Sequence, residues 1–541
     1  MQKRFQFGAA LAAALAGLMV GLGPVGPAAA QVVDRPAPGD PVTVTGGRVA
    51  GLETGSGVRA YLGIPFAAPP VEDRRWRPPA PVVPWTGVRH AVSYPSACMQ
   101  SGRGPGQFFY SGPEPVSEDC LYLNLWTPAK TASARLPVVV WIYGGAFSRG
   151  SASTPRERGE ALARKGVVYV AFNYRGGALG FLAHPELARE DPHNASGAYG
   201  FLDQVAALRW VQANIAAFGG DPDNVTVVGH SAGSVSVSAL QASPLGRGLF
   251  HRAMGVSASS LTWEAGEMVP RSEAEARGLA AQAALNAGGI AEMRRMAADR
   301  IMQQNVGPPS IDGWFMPRSP MEIFAAREQS DVGVFVGFTR DEGYGDLFAA
   351  RTPEAYVAAA RAMYPADADR LLSLYPASGA DWRDQARRAS RDITLGAAMR
   401  RWAMGQTGPG RRKAYVYMFS RAHPFAPGVD FMDFDPSTAG AYHSADPAYW
   451  LNNLDAVNFD RETRRWTDRD RRLADRMSDM LVAFARTGDP SLSDLRAPPY
   501  DPADERLIEL GDTIAVAPFP GRENVEFLHG LKIARERPAQ N

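Results

Sequence analysis

One serine of the chain stands in a context that could make it a nucleophile. The apolar run Val225–Val228 favours a β-strand, and it leads directly into Gly229-His230-Ser231-Ala232-Gly233, a G-x-S-x-G pentapeptide followed by a helix-forming segment. A hydroxyl is a weak nucleophile, so an enzyme that uses one exposes it on a tight strand-to-helix turn, where a base can reach it. The pentapeptide consists of common residues and is weak evidence alone. The interpretation therefore depends on whether the chain supplies the other groups.

Attack of Ser231 on a carbonyl would need backbone N–H donors that hold the developing oxyanion. One donor comes from the residue after the nucleophile, here Ala232, and another comes from a loop after an earlier strand. The apolar run Val138–Ile142 ends in a glycine-rich turn, in which Gly145 and Ala146 would supply the remaining donors. Consecutive glycines more often only make a turn, but their place before the serine motif favours the oxyanion interpretation.

The acid of a catalytic triad is expected after the serine, at the end of a later strand. Val332–Phe338 favours such a strand, and Asp341 and Glu342 follow it in a turn. Either carboxylate could serve on the residues alone, and an ordinary solvated turn would contain the same residues.

The general base is expected to follow that acid, which leaves three of the eight histidines: His423, His443 and His529. His443 is the best placed, because it lies in the small-residue loop 440–444, where a base could be presented over the sheet edge. His423 precedes a proline, and His529 lies near the C-terminus. A loop histidine is more often simply solvated, so chain order alone does not decide.

The composition is that of an ordinary globular protein and points to a small-molecule partner. Of 541 residues, 45% are hydrophobic and 21% are charged, and 57 basic residues against 56 acidic ones give a net charge of +1. Without a long run of one sign, the chain lacks the electrostatic footprint that nucleic acid or an anionic membrane surface requires. The length would allow two or three domains. No linker divides the chain, however, and we expect residues 31–541 to form a single catalytic domain.

The first thirty residues are typical of an export signal. Lys3 and Arg4 precede an apolar stretch over residues 7–23, and residues 24–30 end in three alanines. Small residues at that point favour cleavage before Gln31. A membrane anchor is the alternative, but the apolar stretch is short and contains glycine. We expect a mature protein that is secreted or periplasmic and not stably inserted in a membrane.

Cys98 and Cys120 are the only cysteines of the chain. In an exported protein, two cysteines most simply form a disulfide. This one would close a loop rich in Gly and Pro and stabilise the fold by roughly 3 kcal/mol in the chain-entropy model. Two unpaired buried thiols are the alternative. With two cysteines and no histidine cluster, we expect no metal site.

The longer apolar runs predict an α/β fold. Continuous apolar runs are typical of parallel strands buried on both faces. Helical segments separate them, so βαβ units are expected to build a central, mostly parallel sheet flanked by helices. The predicted strands are Val138–Ile142, Val167–Phe172, Val225–Val228, Ala253–Ser257, Val332–Phe338 and Ala414–Phe419.

Three segments have the apolar spacing or composition of helices. Leu202–Phe218 is predicted to end at Gly219, and Asp468–Arg486 is predicted to begin with Asp468 as its cap. Arg271–Gln304 is rich in helix-forming residues and longer than a crossover requires. We interpret it as an insertion that covers the mouth of the site.

Segments along nearly the whole mature chain resemble the type-B carboxylesterases, the family that includes cholinesterases and bacterial para-nitrobenzyl esterases. Ser117–Pro128, which reads SEDCLYLNLWTP, resembles the family's second signature, and Ala60–Ala67 resembles its N-terminal block. Shorter matches are Asn173–Arg175, Leu202–Gln204, Ser243–Leu245, Gly248–Ala253 and Asp341–Gly343. The resemblance implies the α/β-hydrolase fold and the hydrolysis of carboxylic esters.

The resemblance also implies roles for individual residues. Ser231 would be the nucleophile, Glu342 the triad acid and His443 the base. The other implied roles are oxyanion donors at Gly145, Ala146 and Ala232, a Cys98–Cys120 disulfide, internal ion pairs Arg75–Glu118 and Arg175–Asp203, and a serine beside the triad, Ser257.

The chain departs from the family where a cationic substrate would be held. His230 stands where the family most often has Glu before the nucleophile, so a negative charge beside the reacting centre is missing. The loop between the cysteines contains Phe108, Phe109 and Tyr110 but no Trp, the residue with which cholinesterases hold a quaternary ammonium. Choline esters are therefore disfavoured. Ala146 replaces a more frequent third glycine, and its N–H remains available.

We therefore expect a serine hydrolase that cleaves neutral carboxylic esters through an acyl-enzyme, without a metal or organic cofactor. Feruloyl or other aromatic esters and polyesters are the alternative, with Phe108, Phe109, Trp314 and Phe315 as candidate pocket residues, although aromatic loop residues are more often ordinary packing. A non-catalytic binding protein is a further alternative, because some members keep the fold and lose the triad. Nothing in the sequence indicates the oligomeric state.

Overall fold

Runs of apolar residues become the central strands of the protein, because a strand covered on both faces buries every side chain. The computed structural model describes residues 35–262 and 267–531. The predicted export signal, residues 1–30, and its cleavage point before Gln31 lie outside the described residues.

Nineteen strands form four sheets in the described part of the chain. In chain order they are β1 (Arg35–Pro36), β2 (Val42–Val44), β3 (Gly47–Ala50), β4 (Leu52–Glu53), β5 (Arg59–Pro65), β6 (Val88–His90), β7 (Ala97–Cys98), β8 (Val116–Ser117), β9 (Tyr122–Thr127), β10 (Leu136–Ile142), β11 (Val168–Phe172), β12 (Gly220–His230), β13 (Arg252–Val256), β14 (Val269–Pro270), β15 (Ser310–Ile311), β16 (Gly333–Thr339), β17 (Ala414–Phe419), β18 (Arg506–Leu510) and β19 (Ile514–Pro518).

The largest sheet has twelve strands in the order β1-β4-β5-β9-β11-β10-β12-β13-β16-β17-β18-β19. Its centre, from β11 to β18, is parallel, and antiparallel pairs flank it at both edges. Every residue of β11 and β16 is buried. All six predicted strands are confirmed as members of the parallel centre, and with them the predicted α/β-hydrolase architecture. The carboxyl ends of β10, β12, β13 and β16 therefore meet along one edge of the sheet.

Helices separate the strands, and α5, α14 and α16 pack directly on the central sheet. The α-helices are α1 (Glu160–Ala163), α2 (Gly177–Phe181), α3 (Pro185–Glu190), α4 (Tyr199–Asn214), α5 (Ala232–Ala242), α6 (Arg271–Ala284), α7 (Ile290–Met293), α8 (Ala298–Met302), α9 (Pro320–Ala325), α10 (Gly345–Ala349), α11 (Pro353–Met363), α12 (Ala368–Leu374), α13 (Trp382–Ile393), α14 (Leu395–Gln406), α15 (Pro447–Trp450), α16 (Asp468–Thr487) and α17 (Val525–Gly530). Short 3-10 helices are Glu72–Arg74, Ala132–Ala134, Pro155–Glu157, Ile215–Phe218, Pro244–Gly246, Pro436–Thr438, Leu454–Asn458 and Arg522–Asn524.

Two helix predictions need correction. The segment Arg271–Gln304 is not continuous, because it forms the three helices α6, α7 and α8. The first break follows α6, where Asn286 adopts a left-handed conformation at φ 54° shortly before two glycines. Asp468 is the first residue of α16 and not its cap. Thr467 is the cap: its side chain accepts a hydrogen bond from the backbone N–H of Asp470, whose carboxylate in turn accepts from the Thr467 N–H.

Within residues 35–262 and 267–531, no helix combines the length and the apolar character that crossing a membrane needs.

Candidate active site

Ser231 lies on the turn between β12 and α5, at the carboxyl edge of the sheet. Its backbone has φ 54° and ψ −122°, a conformation that costs a residue with a side chain on the order of 1–3 kcal/mol. The flanking strand and helix hold it there, and its N–H donates to the carbonyl of Val256 on β13 at 2.8 Å. This strained strand-to-helix turn, here called the elbow, keeps the Ser231 hydroxyl at its tip.

The two glycines of the pentapeptide are required by close backbone approach. A Cβ at Gly229 would collide with the carbonyl of Gly233, and a Cβ at Gly233 would collide with the carbonyl of Ile142 on β10. The turn can therefore be this tight only if both positions lack a side chain.

The structure brings Ser231, His443 and Glu342 together in one chain of hydrogen bonds. The Nε2 atom of His443 lies 2.9 Å from the Ser231 Oγ, and its Nδ1 lies 2.6 Å from the Glu342 Oε2. Glu342 is fully buried, whereas the His443 side chain is 23% exposed. Because a carboxylate accepts the Nδ1–H, Nε2 is left as the acceptor that faces the serine.

The two neighbouring carboxylates after β16 have different contacts. The second oxygen of Glu342 accepts from the Thr339 N–H at 2.8 Å, which fixes the carboxylate against its own turn. Asp341 instead binds the loop that carries the histidine: its carboxylate accepts from the Ala441 N–H at 2.7 Å, and its own N–H donates to the Ala441 carbonyl at 3.1 Å. Glu342 faces His443, and Asp341 holds the loop of His443 in position.

Neither of the other two candidate histidines bonds to Ser231. His423 is buried, with Nε2 donating to the Ala445 carbonyl at 2.7 Å and Nδ1 accepting from the Tyr442 hydroxyl at 2.8 Å. His529 lies on α17, near the end of the described chain. Of the three histidines that chain order allows, only His443 bonds to Ser231.

The loop after β10 approaches the elbow with its backbone amides free. The N–H groups of Gly145, Ala146 and Ala232 donate no hydrogen bond to any described group, and Ala146 and Ala232 line the same cavity as Ser231. Ala146 holds a left-handed conformation at φ 54°. The Gln100 side chain fixes the end of this loop, because it bonds both the N–H and the carbonyl of Gly150 at 2.8 Å.

A cavity of about 560 Å³ opens in front of Ser231. Its size falls within the usual range of small-molecule sites, which is about 300–1,000 Å³. Among the described residues that line it, Arg149 is the only charged side chain, and none carries a carboxylate. The apolar lining includes Phe147, Phe181, Val235, Met302, Val306 and Pro308. Residues 302–304 thus place the end of the predicted insertion against the site, and residues 305–309 continue the same wall.

The aromatic residues predicted for the pocket lie elsewhere, and that prediction is wrong for the cavity as the described chain outlines it. Phe108 is buried in an aromatic cluster with Phe109, Phe425, Phe431, Phe434 and Tyr442. Trp314 stacks on His193, and Phe315 stacks on Phe201 in the core. Partners from distant segments fill the space around each ring.

His230 and Ser257 flank the site without bonding to the triad. The ring of His230 lies 5.3 Å from the ring of His443, and its Nε2 is buried without a partner in the described protein. Burial, and then the neighbouring His443, lower the pKa of His230 well below its usual value, so this ring stays neutral. Ser257 follows β13 and is buried, and its hydroxyl has no described partner.

The remaining implied pairs brace the loops around the site. Cys98 and Cys120 are joined in the structure. Arg75 bonds Glu118 through two contacts of 2.8 and 2.5 Å. Arg175 bonds Asp203 through two contacts of 2.8 Å, and both side chains are buried. The two charges of each pair compensate each other, and those of Arg175 and Asp203 do so away from water.

One residue beside His443 could not be identified from the sequence. The hydroxyl of Tyr344 lies 3.0 Å from Nε2 of His443, and the side chain lines the cavity. Its position two residues after Glu342 was the only available signal. Gln100, two residues after Cys98, was also missed, because its role depends on contacts with a loop that is distant in sequence.

Across residues 35–262 and 267–531, no group of three or more Cys, His, Asp and Glu side chains is arranged to hold a metal ion.

Comparison with known proteins identifies the family of the chain. A model of the carboxylesterase family matches residues 39–528. Para-nitrobenzyl esterase of Bacillus subtilis (strain 168) is 32% identical over 518 residues, which cover 91% of this chain and 99% of that protein. A solved structure of PNB esterase gives a TM-score of 0.73 at 31% identity, covering 90% of this chain and 99% of that one.

Fumonisin B1 esterase of Sphingopyxis macrogoltabida is 42% identical over 343 residues. That match covers 61% of this chain and 62% of the relative, which is less than two thirds of its length. The family model and the para-nitrobenzyl esterase match, by contrast, extend over most of the chain. The chain therefore belongs to the carboxylesterase family and is a carboxylic ester hydrolase.

Proposed function

We propose that this hydrolase works through a Ser231–His443–Glu342 triad and an acyl-enzyme intermediate. The observation that carries the proposal is the unbroken hydrogen-bond chain from Glu342 through His443 to Ser231, at 2.6 and 2.9 Å, beside a cavity. The same chain supports catalysis over a non-catalytic binding role, because a binding protein has no need of it.

In the first half of the reaction, His443 Nε2 takes the proton of Ser231 as Oγ forms a bond to the acyl carbon. The carbonyl oxygen becomes an oxyanion, and the free N–H groups of Gly145, Ala146 and Ala232 stabilise it. The buried carboxylate of Glu342 stabilises the imidazolium. When the bond to the alcohol breaks, Nε2–H returns its proton to the leaving oxygen, and the acyl group stays on Ser231.

In the second half, a water molecule replaces the alcohol. His443 removes a proton from the water, whose oxygen attacks the acyl carbon, and the proton then returns to Ser231 as the acid is released. Proton transfers and backbone donors supply every step of this sequence, so the proposed reaction needs no metal or organic cofactor.

We propose neutral esters as substrates and not choline esters. The described lining of the cavity is mostly apolar, its one charge is the cation of Arg149, and the neutral His230 stands beside the nucleophile. A quaternary ammonium would meet repulsion and no carboxylate. Esters of bulky aromatic acids or polyesters are the second candidate, because Phe147, Phe181 and Tyr344 line the cavity with aromatic surface.

We further propose that residues 31–541 act as one catalytic domain, exported to the periplasm or the medium after cleavage near Ala30. The charge balance of the sequence, the small-residue pattern before Gln31 and the cysteine pair support this proposal.

Replacement of the nucleophile tests the mechanism directly. We expect Ser231→Ala to lower kcat on a para-nitrophenyl ester by a factor on the order of a million, as in other triads, and to abolish covalent labelling by a fluorophosphonate probe. Ser238→Ala is the matched control, because Ser238 is a buried serine of α5, the helix that follows Ser231, and its hydroxyl bonds only backbone groups and Ser260. Near-full activity of Ser231→Ala would overturn the mechanism.

A further inference from the structure

The Nε2 atom of His443 has two hydroxyl neighbours. Ser231 Oγ lies at 2.9 Å and the Tyr344 hydroxyl at 3.0 Å. A neutral imidazole with its proton on Nδ1 offers one lone pair at Nε2, so it accepts a full hydrogen bond from one hydroxyl at a time. The other hydroxyl stays close to the reacting atoms with its own proton free to donate.

The Tyr344 side chain is held firmly in this place. Ser390 on α13 bonds both backbone groups of Tyr344: the Tyr344 N–H donates to the Ser390 Oγ at 3.0 Å, and the Ser390 hydroxyl donates to the Tyr344 carbonyl at 2.8 Å. The ring packs against the small cluster of Val235, Ala258 and Leu395. The position of the hydroxyl is therefore set by the fold, before substrate arrives.

The phenol of Tyr344 is a donor and not a base. Burial and the negative charge of Glu342 raise the pKa of this hydroxyl well above its usual value, and a hydrogen bond with Ser231 opposes them only in part. The group therefore keeps its proton at any pH at which an esterase works, and it can donate a hydrogen bond without transferring the proton.

We propose that Tyr344 is a further catalytic residue, which donates a hydrogen bond to the leaving oxygen of the ester while the bond to that oxygen breaks. This inference depends on the triad proposed above. The leaving oxygen must come within hydrogen-bond distance of Nε2, roughly 2.7–3.2 Å, to receive its proton. A hydroxyl that lies 3.0 Å from the same nitrogen and lines the same cavity is within reach of that point.

The atoms of the step balance without an additional reactant. The bond between the acyl carbon and the leaving oxygen breaks, its electron pair stays on the oxygen, and the proton comes from Nε2 of His443. Tyr344 keeps its own proton and stabilises the negative charge that the oxygen carries before protonation is complete. The alcohol then leaves with the proton that Ser231 originally gave.

A donor to the leaving oxygen should matter most for esters of poor leaving groups. An alkoxide carries its charge on one oxygen, whereas para-nitrophenoxide spreads the charge over its ring and needs less help to depart. A residue that instead activates Ser231 or orients His443 would affect both kinds of ester alike, because both require the same nucleophile. The leaving-group dependence thus separates the two roles.

The experiment compares ethyl butyrate with para-nitrophenyl butyrate, which share one acyl group, in the wild type and in Tyr344→Phe. Because kcat/KM reports acylation for both esters, we expect the variant to lose on the order of 10- to 100-fold on the ethyl ester and only a few-fold on the para-nitrophenyl ester. An equal loss on both esters, no loss on either, or a greater loss on the para-nitrophenyl ester would overturn the proposal.

Tyr356→Phe is the matched control, because it removes a buried tyrosine hydroxyl that donates to the Tyr375 carbonyl in the separate helical cluster. It should leave the ratio of the two esters unchanged. If Tyr344→Phe does not fold, Ser390→Ala decides instead: loosening Tyr344 should lower kcat/KM more for the ethyl ester, and an equal loss on both esters would overturn the proposal.

Fluorophosphonate labelling separates this proposal from the triad itself. If the probe labels Ser231 in the wild type and in Tyr344→Phe but the ester ratio does not change, the role of Tyr344 is wrong and the triad remains supported. If the wild type is not labelled at all, the proposed mechanism fails and the role of Tyr344 fails with it.

Discussion

Two histidines in the segment between β17 and α15 differ in their surroundings, and the difference explains why only His443 is proposed as the general base. Both rings use both nitrogens in hydrogen bonds. His443 faces the carboxylate of Glu342 and the hydroxyl of Ser231. His423 faces the carbonyl of Ala445 and a tyrosine hydroxyl, and the cation of Arg464 lies close to it. The rings have equally complete hydrogen bonds but different neighbouring charges.

Burial and a neighbouring charge together decide the protonation of His423. Burial, and then the charge of Arg464, lower the pKa of His423 to about 3, so it stays neutral at any pH at which the enzyme would work. His443 has a carboxylate 2.6 Å from Nδ1, which would compensate the imidazolium formed in the proposed attack of Ser231. A general base needs this compensation at the moment it becomes charged, and a carbonyl cannot supply it.

The same substitution at both histidines gives the sharpest test of this comparison. We expect His443→Gln to lower kcat by a factor on the order of a million, because no group remains to take the serine proton. His423→Gln should keep kcat close to that of the wild type, because glutamine can donate to the Ala445 carbonyl and accept from Tyr442 as the histidine does. Steady-state kinetics on one ester measure both. Comparable losses in the two variants would contradict the assignment.

His423 should instead control stability in acid. Its folded-state pKa of about 3 lies below the usual value of 6.5, so the folded state binds this proton less well than the unfolded state. The contribution of neutral His423 to the free energy of unfolding is fully present above about pH 6.5 and is lost progressively as the pH falls towards 3. At pH 4, the free energy of unfolding should be lower by roughly 3 kcal/mol for this reason. Denaturant unfolding of His423→Gln should show a smaller loss of unfolding free energy over this range, and an unchanged loss would refute the interpretation.

A smaller loss is expected when the base keeps its ring but loses its carboxylate. In Glu342→Gln, the amide can place an N–H against Nδ1 and favour the wrong tautomer, which lowers kcat by about 10⁴-fold in a comparable triad. The Thr339 N–H still finds an oxygen acceptor, so the fold should persist. Measurement of kcat together with the far-UV circular dichroism spectrum checks both statements.

Asp341→Asn is the control for that variant. Its oxygen can still accept from Ala441, so the loop of His443 should stay in place and the loss of activity should be far smaller. If Asp341→Asn lost as much kcat as Glu342→Gln, the two carboxylates would have been assigned the wrong way round.

The two carboxylates after β16 also show which part of the site could not be predicted from local sequence signals. The strands, the elbow and the order serine, acid, base could be predicted, because apolar runs and the pentapeptide are local signals. Asp341 and Glu342 are adjacent in one turn, so no local signal separates them. The resemblance to a family chose Glu342, and only the three-dimensional fold shows that its side chain faces His443 while Asp341 binds Ala441.

The residues that line the pocket could be predicted from the sequence even less well than the triad. Its walls combine the loop after β10, helix α2, residues 302–309 and Tyr344, which are far apart in the chain. The aromatic residues chosen from the sequence pack instead against partners that it could not reveal, such as Phe434 on Phe108. Burial and partners are properties of tertiary contacts, and composition alone does not fix them.

His230 is a third imidazole near the site, and we expect its substitution to have the smallest effect on kinetics. Its ring lies 5.3 Å from that of His443, and it stays neutral where the resembled family most often carries Glu. His230→Glu would place a carboxylate next to Ser231 in the chain, and we expect one such charge to contribute about 1 kcal/mol to the binding of a cationic ester. We expect the ratio of kcat/KM for acetylthiocholine to that for its neutral analogue 3,3-dimethylbutyl thioacetate to rise roughly threefold to tenfold. His230→Gln, which changes the ring but adds no charge, should leave this ratio unaltered. An equal rise in both variants would show that shape, and not charge, at this position disfavours cationic esters.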